Sequence, residues 1–256
     1  MKVAFVTAML CTALAPAVAA AQQPARAPKT ILAVGGHAGD MELTTGAVLL
    51  KQRAAGDRVV LLHLSLGERG NPRMPVSEYA AQKRREAEAA ARLLGGEVIF
   101  GPYRDGEVPN DEEARQYVAD VIRTVKPSVV LTHWRESIHR DHATTHAVVV
   151  DAVLLAAIDS ARGKPAHRGT RLWFAENWED KAQFEPYLYV DVSDQAARYR
   201  DLVASYEFVA GTISSFPYLN YYTALLTLRG AEARRTAAVA FDIDPMGKRQ
   251  VMSAIP

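Results

Sequence analysis

The sequence predicts an α/β three-layer sandwich, a mostly parallel sheet with helices on both faces, and three observations carry that expectation. Short β-branched runs alternate with longer amphipathic segments, the alternation that builds parallel strands joined by covering helices. Glycine and proline fall where the helical patterns stop. A length of 256 residues, 49% hydrophobic and 23% charged, suits one large domain with a substantial core and argues against disorder, collagen or coiled coil.

Taken in order, strands are expected over 31–36, 58–65, 97–103, 128–134, 171–175 and 187–192, and helices over 41–55, 77–94, 111–125 and 141–161. Gly56-Asp57 stops the first helix and Gly95-Gly96 the second. Lys126-Pro127 ends the third, because proline cannot continue a helix and restricts the residue before it. The segments 67–76, rich in Gly, Pro and Arg, and 104–110, similarly polar, read as loops at strand ends. In open α/β sheets ligands bind beyond the carboxyl ends of the strands, so chemistry is expected in such loops.

The chain opens differently. Lys2 precedes a chargeless run that is broken by Pro16 and closes in Ala17-Val18-Ala19-Ala20-Ala21, the pattern of a secretory signal peptide. Its strongly apolar part, 3–14, is shorter than the ~20 residues of a spanning helix. Residues 1–21 are therefore expected to be removed, 22–29 to form a flexible lead and 30–256 a single domain, periplasmic or secreted, with no stable membrane insertion after cleavage. The only cysteine, Cys11, leaves with the leader. Disulfides, thiolate zinc sites and a cysteine nucleophile are then excluded, and any metal must be held by histidine and carboxylate. The net charge of +1 offers no global attraction to nucleic acid or an anionic membrane. Oligomeric state leaves no trace in one sequence.

Two segments carry the candidate chemistry. Gly35-Gly36-His37-Ala38-Gly39-Asp40-Met41-Glu42 follows the first strand, and His133-Trp134-Arg135-Glu136-Ser137-Ile138-His139-Arg140-Asp141-His142 follows the fourth. Each opens a helix, and if the two strands are neighbours His37, Asp40, His139 and His142 share a pocket. Two imidazoles and a carboxylate with open positions suit a catalytic zinc ion. The plainer alternative stands beside it: a loop histidine is commonly a solvated polar residue, and Asp40 or Asp141 near a helix start serves equally as a cap. His63 reads as a core or sheet-face histidine, His146 as a neighbour of His142 one turn on, and the aromatic stretch 214–222 as either a sugar-stacking wall or a core cover.

These residues resemble the LmbE-like (PIG-L) family of zinc-dependent N-deacetylases, whose motifs read His-Pro-Asp-Asp-Glu and His-Pro-Asp-His. His37-Ala38-Gly39-Asp40 and His139-Arg140-Asp141-His142 are the matching positions. Arg85-Glu86-Ala87-Glu88 with Leu93-Leu94-Gly95 is similar to the family's Arg-x-x-Glu helix, Asp105-Gly106-Glu107 to its Asp-Gly loop, 186–193 to its late strand, and Arg229-Gly230-Ala231-Glu232 with Ala240-Phe241 to its closing helix. The resemblance implies a Rossmann-like (LmbE-like) fold, with His37, Asp40 and His142 as ligands of Zn²⁺, or of another divalent ion such as Fe²⁺. It also implies His139 as general acid, Asp141 holding or tuning His139, and Arg85 and Asp105 touching substrate. For Arg85 a surface ion pair with a neighbouring glutamate is the rival.

The departure from the family pattern lies at Gly39, where the family places the aspartate that acts as general base. Glycine cannot take a proton, and a general base is worth ~10²–10⁴-fold in rate. Glu136 is the favoured substitute, ahead of Glu68 and Glu42, with a solvated loop carboxylate as its plain alternative; His139 acting as both base and acid is another route. The expected protein is an exported metal-dependent hydrolase removing an N-acetyl or other acyl group from an amino sugar or glycoconjugate. Two rivals are carried: a non-catalytic homologue that binds metal and carbohydrate, and an altered hydrolase for another ester or amide. Small-molecule or glycan substrates, and no nucleic acid, are expected in each case.

Overall fold

The computed structural model describes residues 26–158, 163–180, 184–211 and 213–249. The expected leader, 1–21, and the first half of the expected lead, 22–25, lie outside these residues.

Thirteen elements follow in order: β1 Thr30–Gly35, α1 Asp40–Ala54, β2 Arg58–His63, α2 Val76–Leu94, β3 Glu97–Phe100, α3 Glu112–Val125 and β4 Val129–His133, then α4 Arg140–Ala156, β5 Arg171–Ala175, β6 Leu188–Asp191, α5 Ala196–Val203, α6 Tyr218–Glu232 and β7 Ala238–Ile243. They form one seven-stranded sheet in the order β3-β2-β1-β4-β5-β7-β6. The five strands from β3 to β5 run parallel, and β7 is antiparallel to both its neighbours. This is the expected α/β three-layer fold.

Strand alternation makes the layers. Ile31 and Ala33 of β1 pack on one face with α1, α2, α5 and α6, while Leu32 and Val34 pack on the other with α3 and α4. Both faces are apolar, as a covered parallel sheet requires. Local stops act where expected: Gly95 caps α2 in the left-handed region, and α3 ends at Val125 just before Lys126-Pro127.

One expectation is corrected. Ala240 and Phe241 do not belong to a closing helix; they lie in β7, buried between β5 and β6. α6 comes closest to the chain just before this strand. A Cβ added to Gly230 of α6 would stand 2.8 Å from the Ala237 backbone, so the contact requires a glycine. Among the described residues no helix is long and apolar enough to cross a membrane.

The strand order leaves β1 in two directions, toward β2 and toward β4. That reversal opens a crevice at the carboxyl ends of β1 and β4, where doubly wound sheets bind ligands.

Candidate metal centre and active site

β1 and β4 are adjacent, Val34 beside Thr132, so the loops that follow them meet on one rim. Gly36 N donates to His133 Nε2 at 3.0 Å, tying the two loops together. A Cβ at Gly36 would lie 3.2 Å from the His142 ring, so its absence lets α4 bring that histidine to the crevice. Gly39 precedes α1 with φ at 104°, in the left-handed region that favours glycine.

Three donor atoms converge there. His37 Nδ1 is 3.3 Å from Asp40 Oδ2, His142 Nε2 is 3.1 Å from the same oxygen, and the two nitrogens are 3.1 Å apart. A tetrahedral zinc ion with bonds of about 2.0–2.1 Å keeps its ligand atoms about 3.3 Å apart, so this donor set fits one. His133 Nε2 lies 3.2 Å from Asp40 Oδ2, and its ring stacks on His142 at 4.1 Å.

The far side of each imidazole meets a carboxylate or amide. His37 Nε2 is 3.2 Å from Asp105 and 3.4 Å from Asp141. His142 Nδ1 is 2.8 Å from Glu179 and 3.5 Å from Asn177 Nδ2. Outer partners of this kind fix ring orientation and tautomer in metal sites. The electrostatics agree. Burial alone would raise the Asp40 carboxyl, but the charges of His142 and His37 hold it well below its usual range. Burial would lower His142 and His37, yet Asp40 and the other facing groups push His142 up to about 9 and His37 well above its ordinary value. The site gathers positive charge around Asp40 in the place a cation would take. His133 is driven down to about 4 by burial and by His142, and stays neutral.

His139 stands beside the donors, its ring 4.5 Å from that of His37 and 4.7 Å from that of His142. Its Nδ1 accepts from Asp141 N at 3.2 Å, which caps α4 and leaves the proton of the neutral ring on Nε2. Burial, with the charges of His37 and His142, lowers its pKa. Asp141 thus serves His139 through its backbone, not its carboxylate, which accepts from Gly106 N at 2.6 Å and faces His37.

Several sequence expectations are placed elsewhere. Glu136 is exposed and lines no part of the cleft, because the loop after β4 turns it outward. Arg85 is exposed on α2. Asp105 lines the cleft, but its carboxylate is engaged by His37 and by Arg69 N at 2.9 Å. Glu68 accepts from Asp105 N, and Glu42 is buried against Tyr206 and His63, beneath the site. His146 turns away to the His133 carbonyl.

Two charged cleft residues were missed. Glu179 arrives on the loop after β5 and carries no local sequence signal. Lys83 does: it occupies the buried stripe of α2 with Tyr79, Ala87, Ala90 and Leu94, a helical face that a charged residue enters only for a reason. Lys83 and Glu179, with Phe208, Ser214 and Tyr218 from the aromatic stretch and the turn before it, bound a cleft of about 240 Å³ over the donors.

Comparison with known proteins gives three kinds of relative. A 4-oxalmesaconate hydratase of Pseudomonas putida is 24% identical over 82% of this chain and 83% of its own. A 1D-myo-inositol 2-acetamido-2-deoxy-alpha-D-glucopyranoside deacetylase of Thermomonospora curvata is 32% identical over 57% of this chain and 58% of its own; the chain spans little more than half the length of such deacetylase relatives. Among solved structures, the N,N'-diacetylchitobiose deacetylase of Pyrococcus horikoshii superposes with a TM-score of 0.72 at 21% identity, covering 85% of this chain and 84% of its own. The 4-carboxy-2-hydroxymuconate hydratase of Pseudomonas putida superposes at 0.74 and 20% identity, covering 89% and 100%. Residues 32–153, which hold both histidine segments, match the family described as PIG-L, GlcNAc-PI de-N-acetylase. The chain therefore carries, over those residues, a domain of the PIG-L (LmbE-like) family.

Proposed function

We propose that this protein is an exported, metal-dependent hydrolase that removes an acyl group, in the first place the N-acetyl group of an amino sugar or glycoconjugate. The observation that carries the reading is the triangle of His37 Nδ1, Asp40 Oδ2 and His142 Nε2 at the floor of a cleft bordered by His139. A zinc ion held by these three would supply Lewis acidity to the acyl carbonyl and a more acidic water. His139, with its proton on Nε2, is the group that meets the leaving amine. Asp141 and Asp105 hold His37 in place, and Glu179 holds His142. Deacetylase relatives support the acyl chemistry.

A second reading draws on a specific observation. The hydratase relative aligns over 82% of the chain, and residue 39 carries no carboxylate. Addition of water to the double bond of an unsaturated carboxylic acid uses the same activated water without a leaving amine.

One experiment separates the readings. Metal content of the purified mature protein is measured, with acetate release from N-acetylated amino sugars and loss of ultraviolet absorbance from conjugated unsaturated diacids, each with and without chelator. Chelator-sensitive acetate release establishes the hydrolase, and chelator-sensitive absorbance loss the hydratase. One metal per chain with neither turnover establishes a binding homologue, and no metal removes the ligand assignment. Export is checked by the N-terminus of the secreted protein, expected at Gln22.

A further inference from the structure

Lys83 is a buried cation that hydrogen-bonds to no carboxylate among the described residues. Its side chain is fully buried, and Nζ donates to the Ala38 carbonyl at 2.6 Å and lies 4.2 Å from the Phe208 ring centre and 4.6 Å from that of Tyr206. An ammonium has three donors, and only one oxygen acceptor, the Ala38 carbonyl, meets them here; two ring faces complete the surroundings of Nζ. Burying a charge is costly, and Glu86, Asp40, Glu42 and Asp105 offset that cost only through space, since none of them accepts a hydrogen bond from Nζ. Lys83 borders the cleft.

Across from it stands Gly39. A Cβ at that position would lie 3.6 Å from Lys83 Nζ, so a carboxylate on residue 39 would fall within ion-pair reach of Lys83. The glycine removes that internal anion, and Phe208, 3.0 Å from the same Cβ position, closes the remaining side. The result is a corner with one positive charge and an apolar wall, and Lys83 and Phe208 both border the cleft of about 240 Å³. A single monovalent cation matches one carboxylate in charge.

We infer that the corner between Gly39 and Lys83 is a carboxylate subsite, so that the substrate of this cleft carries an anionic group beside the reacting bond. The inference rests on the reading of this cleft as the substrate site and narrows that substrate to acids, such as an acyl-amino acid, a sugar acid or an unsaturated diacid. Burial brings the Lys83 amine down to about 8, which leaves it mostly charged at neutral pH.

The test is calorimetric binding of succinate and of its monoamide, succinamate, to the metal-loaded mature protein. Each has one carboxylate for the metal end, so only the second end differs. The wild type is expected to bind succinate about tenfold more tightly or better, as a charge-assisted hydrogen bond provides. Lys83→Met should abolish that preference, lowering succinate affinity far more than succinamate affinity with metal content unchanged, and Lys83→Arg should retain it. Lys83→Gln, which keeps a donor to the Ala38 carbonyl, serves if the methionine variant does not fold. A wild type indifferent to the second charge, a preference that survives loss of Lys83, or equal loss of both ligands overturns the inference. None of these readouts depends on turnover, so failure of acetate release from neutral N-acetyl sugars is scored separately.

Discussion

Glu179 stands 2.8 Å from Nδ1 of His142, on the side of the ring opposite the nitrogen that faces Asp40. A carboxylate there fixes which nitrogen is free to bind a cation and makes that nitrogen a stronger base. Partners of this kind are worth about 10–100-fold in metal affinity or activity. Glu179→Gln should weaken metal binding by that order without unfolding the protein. Competition against a chelating dye measures it, and an unchanged affinity would show that Glu179 does not support His142.

Proton competition gives a second expectation. In the metal-free site Asp40 and Glu179 push His142 up to about 9, so at pH 7 the ring holds a proton that an incoming cation must displace. Affinity should therefore climb as pH rises from 6 through 9, since His37, raised well above its ordinary value, also holds a proton that the cation must displace. Calorimetry in buffers of different ionisation enthalpy should detect protons released at pH 7. No release would contradict the charge state assigned to His142.

Residue 39 permits a third. With φ at 104° and the Phe208 ring 3.0 Å from where a Cβ would go, the backbone is built for glycine. Restoring the family's aspartate should thus not simply restore a base. Gly39→Asp is expected to destabilise by about 1–2 kcal/mol from the left-handed backbone alone. The ring contact adds to that, and Phe208→Ala in the same chain should recover this second part. Denaturant unfolding of the three variants tests it; a fully stable single variant would mean that the loop relaxes freely.

The parts of this molecule that were legible in its sequence are those with local causes. Strand–helix alternation, Gly95 and Pro127 set the first four strand–helix units, and the histidines in loops after β1 and β4 marked the rim. β7 was missed because it is short and buried at every position, so it carries no apolar–polar alternation to read. Glu136 was chosen by its nearness to His139 in sequence and Arg85 by its likeness to the family's Arg-x-x-Glu helix, and the structure leaves both exposed to solvent. Two residues before Arg85, Lys83 occupies the buried face of α2, so the helical period, not the motif, was the signal that would have found the cation of the cleft. Glu179 depends on how the loop after β5 folds over α4, which no spacing in the chain reveals.

The contrast between His139 and Glu136 yields the last expectation. Both lie in the loop joining β4 to α4, three residues apart, yet one ring is packed against His37 and His142 and the other side chain is exposed. If His139 handles the proton of the leaving group, His139→Ala should lower kcat by ~10²–10⁴-fold with metal content intact, since its ring is not one of the three donors. Glu136→Gln should leave kcat within about twofold, as surface substitutions away from a site ordinarily do. Loss of metal in the histidine variant would instead make His139 a ligand, which its approach to both His37 and His142 allows geometrically. Loss of turnover in the glutamine variant would require the loop to swing Glu136 into the cleft when substrate binds. Measuring kcat and metal content on the same two preparations therefore separates proton transfer, ligation and loop closure.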